Sequence, residues 1–251
     1  MNKYSWLALG AGAYVAFVLS LFPAAAAYRW FAPSSLRLVG IQGTVWSGRA
    51  ELGSAGAMTL RDVRWEIAAL PLVIGRLSGQ LQARLADGLV STTLSAGADR
   101  VTFSELRAST SLQALRSVLP VEGMEGLASA AFSKLELTDG WPTDMVGELR
   151  LAQLQVEPLV ATGQPGLISL GDYEVVFTEN SGQGLAANFR DTGGPLEVSG
   201  TLLVDRARAY TLDGLIKPRA DAQPALVEGL AIMTAEPDAA GRRRLTLTGT
   251  L

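Results

Sequence analysis

The chain reads as mainly β: an N-terminal transmembrane helix followed by a curved antiparallel sheet with two short helices. Three observations carry that expectation. The stretch from Trp6 to Ala27 holds no charged residue. From about residue 43 onward apolar and polar residues alternate with period two, broken by turn dipeptides such as Asp87-Gly88 and Asp139-Gly140, the pattern of strands with one buried face. Helical spacing interrupts this alternation twice, at 111–120 and 224–233.

The opening stretch, WLALGAGAYVAFVLSLFPAAAA, would cover about 33 Å as a helix, enough for a hydrocarbon core of ~30 Å. Trp6 marks one end; Tyr28, Trp30 and Phe31 follow the other, where aromatic rings suit the membrane interface. We read residues 1–31 as a single-pass membrane anchor and 32–251 as an exported β-rich domain. The same residues also fit a cleaved secretory signal peptide, with Ala24 to Ala27 as small-residue cleavage sites. The run is longer than the usual apolar core of such a peptide. Both readings place residues 32–251 outside the cytoplasm.

Each later segment has its own signal. Strands are expected at 43–52, 57–67, 78–88, 89–96 and 100–110. A phase slip between Leu60 and Val63 predicts a bulge near Arg61-Asp62. Asp87-Gly88 predicts a hairpin, since glycine accepts the positive φ of tight turns. The spacing of Leu112, Leu115, Val118 and Leu119 predicts a helix over 111–120, capped by Ser111 or Thr110 and ended by Pro120. Strands resume at 127–140 and 145–158, with Asp139-Gly-Trp-Pro142 as the loop between them. Further strands follow at 167–180, 184–192, 195–205 and 208–219. Pro224 opens a second short helix through Met233, and RRLTLTGTL closes the chain as a strand. Whether these strands form one curved sheet, a sandwich or a barrel stays open at this point.

Composition excludes much chemistry. The chain has no histidine and no cysteine, which removes imidazole bases, thiol nucleophiles, disulfides and nitrogen- or sulfur-ligated zinc sites. No cofactor or metal is expected. The formal charge is −3, so no basic field for nucleic acid exists. Arg242, Arg243 and Arg244 form the one dense basic run, read as a solvated turn-to-strand junction or, more sharply, as a contact to a lipid headgroup or acidic partner.

Carboxylates are the remaining acid–base groups. Asp62 and Glu66 flank Trp65, Asp139 and Asp144 bracket Trp141-Pro142, and Asp172 and Glu174 flank Tyr173. A glycosidase would need one of such a pair raised in pKa beside a cleft; these residues read instead as turn and outward strand positions. Ser47 has no histidine to activate it. Trp46, Trp65, Trp141 and Tyr173 are the aromatic candidates, lying in or beside strands near glycine or proline. They either fill the core, supplying what a glycine lacks, or line an apolar groove. A single-layer sheet with two short helices would leave apolar surface for lipid or protein.

GTVWSGRA (43–50) shortly after the apolar run, then DVRWEIAALPLVIGRLSGQL (62–81), GELRLAQLQV (147–156), LGDYEVVF (170–177), GPLEVSGTLLVD (194–205) and YTLDGLIKPR (210–219) follow in order. In this succession the chain resembles the general secretion pathway protein N family (type II secretion system protein N). The resemblance implies an accessory inner-membrane component of the type II secretion system that supports export of folded proteins across the outer membrane. It implies other type II secretion subunits as partners, and no catalytic residue comes with it. The alternative expectation is an envelope lipid-handling protein, with lipid held in an apolar groove.

Overall fold

Period-two alternation folds here into a meander. The computed structural model describes residues 10, 14, 17–32, 36–55, 58–68, 76–97, 99–116, 123–157, 166–179, 184–234 and 236–250. Its strands are β1 (Leu36–Val39), β2 (Gln42–Gly43), β3 (Ser47–Ala55), β4 (Met58–Ala68), β5 (Leu77–Leu85), β6 (Gly88–Ala96) and β7 (Arg100–Ser111). They continue as β8 (Met124–Thr138), β9 (Trp141–Val156), β10 (Ile168–Thr178), β11 (Leu185–Gly193), β12 (Leu196–Val204), β13 (Ala209–Pro218) and β14 (Arg243–Thr250). All belong to one sheet whose order follows the chain from β1 through β3 to β14, with β2 also paired to β3. Every pairing is antiparallel. The end strands do not pair with each other. The open choice among sheet, sandwich and barrel therefore resolves to one open sheet.

Local chemistry explains the turns and bends. Asp139 and Gly140, at φ 52° and 75°, make the two-residue turn whose twist matches the strands it joins. The loop expected through Pro142 is shorter than the sequence suggested, since Trp141 and Pro142 open β9. The bulge expected at Arg61-Asp62 is present: Asp62 has φ 49° and the β4–β5 register shifts between Arg61 and Arg64. Glu105 in β7 and Gln153 in β9 repeat the device at φ 52° and 53°. Each extra residue bends its strand and adds twist, so the sheet is kinked at intervals along its width.

Glycines let large rings lie across the sheet. Phe132, Gly147 and Phe177 are in register on β8, β9 and β10, and the two rings meet over the glycine at 5.7 Å between centroids. A Cβ on Gly147 would collide with the Phe132 ring and the β8 backbone. Trp65 covers Gly48 and Phe189 covers Gly200 and Gly214 in the same way.

Two helices are described in full, and residues 17–20 are helical as well. In α1 (Ala24–Phe31) Ala24 is buried and the helix lies beside β2. α2 (Pro224–Met233) starts with proline in its first turn, as the sequence predicts. Leu226 and Leu230 pack on Ile168, Leu196, Val198 and Ile216. The helix expected over 111–120 is corrected. β7 runs through Ser111, a 3-10 turn covers Gln113–Leu115, and residues 117–122 lie outside the described set. The Ser111 hydroxyl accepts the Ala114 N–H, a cap for one turn only. Leu112 is drawn into a cluster with Ala128 and Leu154, and that tertiary contact outweighs helical spacing.

Among the described residues no helix is long and apolar enough to cross a membrane. Trp6 and much of the proposed anchor fall outside the described residues. The later part of that run is not one continuous helix: a turn at Leu21 and an extended Pro23, bridged to Thr44, separate it from α1.

Candidate functional site

Cross-strand partners share a face of a sheet and neighbours along a strand alternate, so the register sorts the residues. One face carries Val63 and Trp65 of β4, Leu81 and Ala83 of β5, and Val90 and Leu94 of β6. Phe103 and Leu106 of β7 and Phe132 and Leu135 of β8 continue it. Leu149, Val175, Phe189 and then Val198, Ile216 and Leu245 complete it on β9 to β14. No strand residue directed to this face from β3 to β8 is charged; the exposed bulge residues Asp62 and Glu105 stand outside the alternation. The opposite face presents Arg61, Arg64, Gln80, Gln82, Ser91, Thr93, Lys134, Glu136, Glu148 and Arg150.

Ion pairs lace the polar face. Arg150 and Arg190 both reach the carboxylate of Glu174, at 3.3 and 2.5 Å, and hydrogen bonding from Arg190 holds that carboxyl below the usual range. Lys134 lies 2.7 Å from Asp144 and 3.4 Å from Glu136; its hydrogen bond to Asp144 raises its pKa. Arg244 takes Asp213 in a two-pronged pair, with its guanidinium depositing two N–H groups on the carboxylate. The basic run therefore starts in the turn, where Arg242 pairs with Asp238 at 3.0 Å, and ends in this strand-to-strand clamp.

The sequence-predicted carboxylate pairs are not brought together as acid and base. Asp62 faces Arg84 at 3.6 Å, Asp139 sits in the hairpin turn, and Asp172 accepts the Gln153 N–H at 2.7 Å. Ser47 is an exposed first residue of β3. Among the described residues no cluster of three or more acidic groups could hold a metal.

Each candidate aromatic has a distinct place. The Trp46 indole N–H donates to the Leu19 carbonyl at 2.7 Å, and the Val45 N–H donates to Phe22 O at 3.0 Å. Trp46 thus ties the N-terminal segment to the first strands. Trp65 lies on the apolar face over Gly48, its indole N–H donating to Val45 O at 3.0 Å. Trp141 stands at the rim, with the Arg208 guanidinium 4.6 Å from its ring centroid. That contact joins the start of β9 to the β12–β13 turn and reports how tightly this half of the sheet curls. Tyr173 is half-buried between two clusters, donating to Leu170 O at 2.9 Å; burial, then the charge of Asp191, push its hydroxyl to about 12. Trp30 is exposed and packs against Phe22. Sequence reasoning passed over Phe132 and Phe189; a glycine directly across the strand was the missing signal.

The two edges of the sheet differ. The Tyr28 hydroxyl of α1 donates to Leu36 O at 3.0 Å and accepts the Leu38 N–H at 3.1 Å. It takes both groups where another strand would pair with β1, and β1 is only four residues long. β14 is twice that length, and no described strand pairs with its outer side. An unpaired strand is a template for an incoming chain.

Surfaces of this kind, a one-sided apolar sheet with one covered edge and one open edge, define a β scaffold that presents surfaces. Comparison with known proteins identifies the particular scaffold. The family described as type II secretion system (T2SS), protein N, matches residues 34–246, and the chain belongs to it. It is also 25% identical over 271 residues to the type II secretion system protein N of Aeromonas hydrophila, covering 94% of each chain. No solved structure matches. Membership supports a role in type II secretion.

Proposed function

We propose that the protein is an accessory inner-membrane subunit of the type II secretion system, whose periplasmic β domain binds other machine components. The open β14 edge is the observation that carries the binding role. Main-chain hydrogen bonds to an added strand provide affinity without a pocket, and the covered β1 edge leaves one direction for growth. The anchor is residues 1–31, with the chain turning into the sheet at Pro23–Thr44.

The test uses the absence of native cysteine. Full-length protein with Arg37→Cys or Thr248→Cys is crosslinked in membranes, mildly solubilised and analysed by mass spectrometry. Crosslinks from position 248 to other secretion subunits, with few from 37, are the expected result. Recovery of phospholipid with no secretion subunit at either position would sink this reading.

A second reading, envelope lipid handling, is favoured by one feature: the open sheet leaves more surface accessible than a compact domain does. The accessible surface is 16176 Å², against about 10,600 Å² for a compact monomer of this mass. No large described side chain falls below 2% exposure.

A further inference from the structure

We propose that the polar face of β3 to β7 docks on anionic phospholipid headgroups beside the anchor, a placement that rests on the membrane-anchored reading above. Arg49, Arg64, Gln82, Ser91 and Arg107 are successive cross-strand partners on β3, β4, β5, β6 and β7. Farther along the same face, Arg61 is paired directly with Arg84. All five arginines are exposed. Asp62 reaches Arg84 at 3.6 Å, and the Gln42 amide oxygen accepts from Arg49 at 2.6 Å. No described carboxylate lies within ion-pair distance of Arg61, Arg64 or Arg107.

Like charges set directly opposite each other destabilise a sheet, and here there are two such pairs, Arg49–Arg64 and Arg61–Arg84. Elsewhere on this face the chain compensates its charges. Glu174 lies between Arg150 and Arg190, and Lys134 spans the like pair Glu136–Asp144. Among the described residues no carboxylate bridges either arginine pair. An anion from outside the chain supplies what is missing, and phosphate oxygens match the guanidinium fork.

Position selects a membrane surface rather than an acidic protein as the source of that anion. Trp46 and Val45 bond Leu19 and Phe22 of the charge-free N-terminal run. Arg49 follows Trp46 by three residues, a strand length of about 10 Å, so the first arginine row lies about one Debye length from the proposed anchor. Charge is divided in the same sense along the chain. Residues 1–116 hold 11 basic and 6 acidic side chains, and residues 117–251 hold 10 and 18. An anionic surface attracts the anchored part and repels the remainder, which orients the sheet. Leu52 and Leu89, both exposed, stand opposite Arg61 and Arg84 in the register and add apolar contact at the headgroup boundary.

The experiment uses the full chain with Gln82→Cys, labelled with a small fluorophore and reconstituted in phosphatidylcholine vesicles with or without phosphatidylglycerol. Contact quenching by a lipid carrying a nitroxide on its headgroup reads docking, and an alkaline carbonate wash reads insertion. The expected result is strong quenching with phosphatidylglycerol, little without it or in high salt, and little at Thr201→Cys on the far part of the same face. Arg61→Gln combined with Arg64→Gln should lower the docked-to-undocked ratio about thirtyfold, equivalent to ~1 kcal/mol per arginine. The melting temperature of that variant should hold or rise, because both like-charge pairs are gone. Quenching that ignores phosphatidylglycerol or the substitutions, in protein that resists the wash, overturns the docking and leaves the anchor standing. A dimer in detergent that the double substitution dissolves assigns the arginines to a second copy and overturns the docking as well. Protein stripped by the wash overturns the anchored reading itself.

Discussion

The two halves of one sheet have the same strand chemistry and different cores. Between β9 and β14 the sheet curls far enough for Arg208 to reach Trp141, and α2 fills the concavity, so that Leu196, Val198, Ile216 and Leu226 are each at most 8% exposed. Between β3 and β6 the buried apolar cluster is two alanines and a valine. Alternation therefore specifies which face is apolar, whereas burial depends on whether something covers that face. A meander exposes this distinction because each strand pairs only with its neighbours, and stability is close to a sum of local terms.

The largest effect should come from removing the cover. Leu226→Asp puts a carboxylate among Ile168, Leu196 and Ile216 and should cost about 4 kcal/mol. Hydrogen exchange should show β10 to β14 losing protection while β4 to β6 keep theirs. Uniform loss across the sheet would show that the halves are one cooperative unit.

A smaller difference sharpens the contrast at fixed chemistry. Leu196→Ala should cost about 3 kcal/mol and Leu81→Ala about 1 kcal/mol in lipid-free protein, because a half-covered site leaves less cavity. Equal losses in urea unfolding would mean that β5 is as well covered as β12.

The smallest effect concerns the clamp at the curled end. Asp191 is half-buried, which by itself raises its pKa, but the Val198 N–H and Arg219 hold it below the usual range. Arg219 also donates to the carbonyls of Gly194 and Leu196, at 2.6 and 3.0 Å, locking the β11–β12 turn to the end of β13. A depressed carboxylate stabilises fully above its unfolded pKa near 4, and the contribution disappears as pH falls through the lower folded value. Arg219→Met should therefore lower the melting temperature slightly at pH 7, with a shallower fall below about pH 4. An unchanged acid limb would remove Asp191 from the account.

Much of this architecture was legible beforehand. The strands, the Asp62 bulge, the Asp139-Gly140 turn and α2 follow from residue patterns, because each depends on contacts within a few residues. The helix expected at 111–120 failed where a long-range contact intervened: Leu112 has the right spacing but packs on β8 and β9. Aromatic positions were half legible. Trp65 fills a glycine's space, but the glycine is Gly48 on the neighbouring strand rather than a neighbour in sequence, and cross-strand register is invisible without the pairing.

By itself the sequence determined a mainly β chain with one apolar face, no imidazole or thiol chemistry and a charge-free N-terminal stretch, since these depend only on residue type and order. Tertiary structure alone decided that the strands stay in one open sheet, that α2 covers one half, that Tyr28 closes the first edge, and that among the described residues no strand pairs with the outer side of β14. Those outcomes depend on register, on bulges whose bends accumulate across strands, and on which distant segment reaches which surface.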